Sequence, residues 1–175
     1  MKFVMLLVLG LTLLINVKAQ DFRNVNWGDK PDKVKTIEAK NKVKLKGNPI
    51  GPSYMLYAII NQNMDKVALF YNFRHDSLIQ AQYEYNYMAY VTGRSMDYTL
   101  KFNKINQELI QQYGKPTSCD TLTYLTEWKF EDGSSIVHGL EKELDPAKMN
   151  ITYKTKHFVR YNSKYYHRFV EKLNK

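Results

Sequence analysis

Proton transfer, nucleophilic attack and metal binding need a short list of side chains, and in this chain the list begins with His75, His138, His157, His167 and Cys119. His138 keeps a two-residue phase with Ile136 and Leu140, and His157 keeps it with Tyr153 and Val159. On paired strands both imidazoles would then project from one face and could meet. Two chemistries open from such a meeting: joint ligation of a metal ion, or an acid and a base working together. The simpler account is two partly buried histidines holding ordinary hydrogen bonds, because no third ligand stands at a metal-site spacing.

The remaining reactive types offer less. Cys119, between Ser118 and Asp120, is a thiol that could act as a nucleophile or as a small loop or strand residue, and it receives no role. Glu141 and Glu143 alternate at a strand end and Glu131-Asp132 occupy a turn, both settings for solvated charge. No Gly-rich phosphate loop, Cys-x-x-Cys, His-Glu-x-x-His or Gly-x-Ser-x-Gly occurs in the sequence. No catalytic residue and no cofactor is assigned, and His138 and His157 are the only metal suspects.

Tyrosine is the more unusual resource. Of 14 tyrosines, Tyr54, Tyr57, Tyr71, Tyr83, Tyr85, Tyr87, Tyr90 and Tyr98 crowd the first half. Tyr83, Tyr85 and Tyr87 alternate along one strand, and tyrosine supplies contact area at low entropic cost, so these three are the candidate binding residues. The preference of tyrosine for strands accounts for part of the same pattern. Lys154, Lys156, Arg160, Lys164, Arg168 and Lys172 make a basic tail that suits an anionic lipid or polysaccharide, or simply a solvated face.

The elements that must hold these residues are legible from punctuation and period. Gly28 and Asp29 mark a turn, and Pro31 and Asp32 open a short helix to Lys40 with Val34 and Ile37 inward. Lys42, Lys44 and Lys46 alternate with Val43 and Leu45 as an edge strand or an anion-binding strip; Asn48 to Ser53, with Pro49, Gly51 and Pro52, reads as a loop. A meander follows over 54–61, 66–74 and 78–87, with Ile79, Ala81, Tyr83, Tyr85 and Tyr87 on one face of its last strand. Tyr98, Phe102, Ile105, Leu109 and Tyr113 repeat at helical spacing between a cap at Ser95 or Asp97 and a stop at Gly114 and Pro116. A strand over 122–130, a turn at Glu131-Asp132-Gly133-Ser134, a return over 135–140, a bend at Asp145-Pro146 and a strand over 150–160 complete the sheet. Tyr166, Phe169, Val170 and Leu173 give a last helix over 163–173.

At the amino end, Met1-Lys2, an apolar run from Phe3 to Val17 and the small residues Val17 and Ala19 match a secretory signal cut after Ala19. The run is shorter than the roughly 20 apolar residues of a membrane span. No Cys stands at the cut, so no lipid anchor is expected. Loss of 19 residues from 175 leaves 156, and loss of Lys2 and Lys18 takes the net charge from +9 to +7. One domain over 20–175 fits that length, with 20–91 and 92–175 as two pseudo-repeat halves. With a single Cys no intramolecular disulfide can form, so packing must supply the stability. The sequon Asn150-Ile151-Thr152 matters only in a eukaryotic secreting cell.

Phe22-Arg23-Asn24-Val25-Asn26-Trp27-Gly28, the short helix, the meander, Tyr113-Gly114-Lys115-Pro116 and the Trp128 strand resemble a set of small exported Gram-negative bacterial proteins of unknown function, whose signals often end in Ala-Gln as Ala19-Gln20 does. The layout also resembles β-lactamase-inhibitor-protein-like domains and the small lipoprotein subunit of the outer-membrane barrel-assembly machine. That resemblance implies a protein-binding module.

The expected fold is α+β: a mainly antiparallel sheet of meanders packed on one face by helices, in two layers, in the order helix, strands, helix, strands, helix. The expected function is an exported, non-enzymatic binding or interaction module of the cell envelope, periplasmic or extracellular, with an envelope protein as partner. The alternative is a carrier of a small apolar ligand between sheet and helices, and a hydrolytic enzyme comes third. No nucleic-acid partner is expected of an exported chain.

Overall fold

The structure is a computed structural model that describes residues 22–50, 53–62, 65–85, 98–144 and 153–166. The expected signal segment, Tyr87, Tyr90, the helix caps Ser95 and Asp97, the Asp145-Pro146 bend, the sequon and the end of the last helix lie outside the described residues. The elements are α1 (Pro31–Lys40), β1 (Lys46–Ile50), β2 (Ser53–Gln62), β3 (Asp65–Arg74), β4 (Ser77–Tyr85), α2 (Tyr98–Tyr113), β5 (Ser118–Asp120), β6 (Leu125–Lys129), β7 (Ser135–Leu144) and β8 (Tyr153–Asn162). Residues 164–166 are helical. Among the described residues no helix is long and apolar enough to cross a membrane.

The strands form one antiparallel sheet in the order β1-β2-β3-β4-β8-β7-β6-β5, so the fold is α+β with a sheet of eight strands. Among the described residues the first half contributes α1 and β1–β4 and the second α2, β5–β8 and the helical residues 164–166, and the halves meet where β4 pairs with β8. A row of residues in register runs across this seam: Leu56, Tyr71, Ala81, Tyr161, Ile136 and Trp128 are consecutive cross-strand partners and all are buried. Val34 of α1, Ile105 and Leu109 of α2, and Phe22 and Val25 of the amino-terminal turn belong to the same apolar cluster.

α1 begins at Pro31, where no helical N–H is lost, and places Val34 and Glu38 inward one turn apart. Its carboxyl end corrects the expected lysine strand. Lys42 takes a left-handed conformation (φ 60°), its N–H bonds to Ala39 O, and Val43 N–H bonds to Glu38 O at 2.9 Å. This is the paired-bond helix stop that usually employs glycine. Val43 is thus held by the helix end, and pairing starts only at Lys46. β1 then continues through Asn48 and Pro49, expected to be loop, because an edge strand tolerates proline. Gly47 in β1 leaves room for the Tyr54 hydroxyl, which a Cβ would strike.

Three further differences have local causes. A bulge between Asn72 and Phe73 pairs Phe73 with Leu78 and Asn72 with Gln80, so Leu78 takes the core position expected of Ile79. The expected strand over 122–130 begins only at Leu125: the Asp120 carboxylate accepts the N–H groups of Leu122 (2.9 Å) and Thr123 (3.3 Å) and turns the chain, and Ser118–Asp120 before the turn forms the unexpected strand β5. The hairpin between β3 and β4 is closed by His75 and Asp76, both with positive φ, as a two-residue turn demands.

Candidate functional site

The amino-terminal segment is where the chain departs from regularity. Phe22 and Val25 close a tight turn through Val25 N–H to Phe22 O at 3.1 Å, with Arg23 and Asn24 both left-handed. The Phe22 ring drops onto Tyr71, Tyr83 and Tyr161, with centroids 5.6, 4.8 and 4.7 Å away. Arg23 is aimed at α1, where Nε and Nη2 donate to the two oxygens of Glu38 at 2.8 Å each. Tyr71 O–H donates to Glu38 Oε1 at 2.6 Å.

Glu38 is fully buried and Arg23 is 23% exposed. Burial pushes the Glu38 carboxyl up, but the bonds from Arg23 and Tyr71 outweigh it and hold the group below the usual carboxylate range. The bond to Glu38 raises the Arg23 guanidinium above its own high range. Burial and the Glu38 charge raise the Tyr71 phenol, while burial raises Tyr83 and Tyr161, so all three hydroxyls keep their protons.

Beside this turn lies a cleft of about 250 Å³ between α2, β4 and β8. Phe22, Tyr83, Tyr85, Tyr113 and Tyr161 supply its rings; Ile105, Leu109 and Val159 its aliphatic floor; Arg23, Gln62, Glu108 and Gln112 its polar edge. The volume holds about eight waters. Gln62 Oε1 is buried and has no hydrogen-bond partner among the described residues. Two of the three candidate binding residues, Tyr83 and Tyr85, therefore share one cleft, and Tyr87 lies outside the described residues.

The suspected histidines meet at a different place. His138 Nε2 and His157 Nε2 are 2.7 Å apart, and His138 Nδ1 is 3.2 Å from Asn106 Oδ1 on α2. With that oxygen accepting, His138 donates from Nδ1 and accepts at Nε2 the proton of His157 Nε2. Phe102 stacks on His138 at 4.1 Å, and both imidazoles have no exposed surface. Burial, then the neighbouring imidazole, lowers His138 to about 3; burial, then the Lys101 charge, lowers His157 to about 4. The pair is neutral and fully buried. No group of three or more His, Cys, Asp or Glu able to hold a metal ion occurs among the described residues.

Cys119 is exposed, with Sγ 3.6 Å from Thr126 Oγ1. His75 sits in the β3–β4 turn, and the Glu131-Asp132 turn and Glu141 are exposed. Arg23, Gln62, Glu108 and Gln112 were not singled out by sequence. Glu108 and Gln112 carry a signal, being four apart on a helix whose apolar stripe is Ile105 and Leu109; Arg23 and Gln62 reach the cleft only through tertiary contacts. No family model matches this chain, and no curated protein and no solved structure matches it.

Proposed function

We propose that this chain is an exported, non-enzymatic binding module of the cell envelope, and that it recognises its ligand in the cleft between α2 and the β4–β8 seam. The observation that carries this reading is the convergence of Tyr83 and Tyr85 with Arg23 on one solvent-open cleft. Cavities of this kind, apolar-walled with a few convergent polar groups, are the usual form of a small-molecule site. The histidine pair, in contrast, has no surface to offer a substrate. The same proposal places α1 and α2 together on one sheet face as a two-layer domain over 20–175. Its support is the joint membership of Val34, Ile105 and Leu109 with the inward row of the sheet in one cluster. Export rests on the signal pattern of residues 1–19.

The test has two parts. The protein exported by a Gram-negative host is expected to start at Gln20 by intact mass, with no lipid attached; retention of residues 1–19 in the cell would contradict export. The mature protein and a Tyr83→Ala variant, incubated with native envelope extract, are then washed and eluted for proteins and small molecules. A molecule held by the parent and lost from the variant is the expected result; equal eluates would overturn the assignment of the cleft. A carrier of a small apolar ligand is the second reading, favoured by the five rings of the cleft and opposed by its polar edge.

A further inference from the structure

The geometry points to a neutral, polyhydroxylated ring, a single saccharide unit, as the ligand of this cleft; the inference rests on the binding reading above and names the ligand class. Three features of the cleft agree on it.

Charge comes first. Among the described residues that line the cleft Arg23 is the cation, and two of its N–H groups are already spent on Glu38 at 2.8 Å each, while Lys101 stands outside the lining, 5.4 Å over the Tyr85 ring. The Arg23 charge is matched by a buried carboxylate. Glu108, exposed at the rim, is the other ionic group. An anion would therefore meet a guanidinium already matched by Glu38 and the Glu108 carboxylate at the rim. A neutral ligand avoids this conflict.

The rings come second. Phe22, Tyr83 and Tyr161 are in mutual contact, with Tyr83 and Tyr161 edge to face at 6.5 Å and 83°. Tyr83, half-buried at the cleft and packed on the buried Phe22 and Tyr161, is the ring of this trio that can meet the C–H face of a sugar, whereas a wholly apolar ligand would leave the polar edge unmatched. Burial keeps the Tyr83 hydroxyl protonated, and since its oxygen accepts from Arg23, its O–H remains to donate.

The third feature is Gln62. Its Oε1 is buried at the cleft with no partner among the described residues, and a buried amide oxygen without a donor costs free energy that a ligand hydroxyl would recover. On α2, Glu108 and Gln112 stand one helical turn apart at the same cleft, so their oxygens and amide can bind neighbouring hydroxyls together. Space for about eight waters admits one ring, free or at the end of a glycan chain entering from solvent.

The test is saturation-transfer NMR with the mature protein, using glucose, galactose and N-acetylglucosamine, then an end-labelled envelope polysaccharide digest, with dodecanoate, choline and methyl phosphate as controls. Transfer to a saccharide is the expected result, with affinity reduced about tenfold in Gln62→Leu and in Gln112→Ala. Signal from the monosaccharides alone assigns a free sugar; signal strongest in the digest assigns a glycan end. Because Gln112 is exposed, its variant keeps the fold and remains informative should Gln62→Leu unfold. Transfer to dodecanoate, choline or methyl phosphate that Tyr83→Ala abolishes, with none to a saccharide, overturns the sugar class and leaves the binding site standing. No transfer from any probe, together with equal eluates from envelope extract, overturns both.

Discussion

The Nε2 atoms of His138 and His157 face each other at 2.7 Å in a site with no exposed surface, so a single N–H···N bond joins two neutral imidazoles across β7 and β8. The groups packed around them are Phe102 and Asn106 of α2, Tyr85 of β4 and the Lys101 charge. Burial, the neighbouring imidazole and the Lys101 charge outweigh the Asn106 acceptor, so the pair titrates far below the ordinary histidine value.

Acid should therefore loosen the fold through this pair. In the unfolded chain both histidines take up protons near pH 6.5, whereas in the folded chain they resist until about 4 and about 3. Stability is full above pH 6.5 and falls as pH drops below it, with a slope approaching roughly 2.7 kcal/mol per pH unit for the two groups together. Urea unfolding between pH 7 and 4.5 should show this slope, and His138→Gln with His157→Gln should flatten it; an unchanged slope would place the acid sensitivity elsewhere.

Glu38 carries a different liability. Its carboxylate accepts twice from Arg23 and once from Tyr71, with Asn41 also bonded to it, so Arg23→Met leaves a buried charge without its main partner. A loss of about 3–5 kcal/mol is expected. Replacing both members, Arg23→Met with Glu38→Met, should cost less than Arg23→Met alone, because the stranded charge goes too. Denaturant midpoints of the two variants decide it: a double variant weaker than the single would show that the pair contributes more than its desolvation penalty.

Legibility followed the range of the forces involved. α1 and α2 were readable because Pro31, Gly114, Pro116 and the spacing of Ile105 and Leu109 act within a turn or two of chain. The strand over 66–74 was readable for the same reason, and its alternate residues Val67, Leu69, Tyr71 and Phe73 are buried. The phase of His138 and His157 was visible, but their complete burial depends on Phe102 of α2, which no local pattern announces. Leu78 displaced Ile79 because a bulge resets the two-residue period, and Lys42 ended a helix where alternation suggested a strand. Arg23 and Glu38, fifteen residues apart, and Tyr71, thirty-three beyond Glu38, meet only in the fold.

Two glycines should respond oppositely to their surroundings. Gly114 has φ +81° and open space where a Cβ would stand, so Gly114→Ala costs about 1 kcal/mol from the backbone alone, and Gly114→Asn should recover part of it. Gly139 has a Cβ position 2.9 Å from both Leu125 Cδ1 and Phe158 Cζ. Gly139→Ala should cost about 1–3 kcal/mol by overpacking, and Gly139→Asn more. Thermal melts of the four variants check the contrast, and recovery by asparagine at position 139 would contradict the packing argument.

Phe22 tests whether the halves of the chain are one folding unit. Its ring touches Tyr71 and Tyr83 in the first half and Tyr161 in the second, and β4 pairs with β8 from Gln80–Asn162 to Tyr85–His157. A core shared in this way cannot melt on one side while the other keeps its packing. Phe22→Ala should cost about 3–5 kcal/mol. The loss should appear in a single transition, with near-ultraviolet circular dichroism of the aromatic rings and far-ultraviolet signal of the sheet moving together. Both tryptophans, Trp27 before α1 and Trp128 in β6, report on the two halves separately by fluorescence when one is replaced by Phe. Coincident midpoints from the two reporters are expected; a Trp128 transition that stays in place while the Trp27 transition shifts would divide the chain into two domains at the β4–β8 seam.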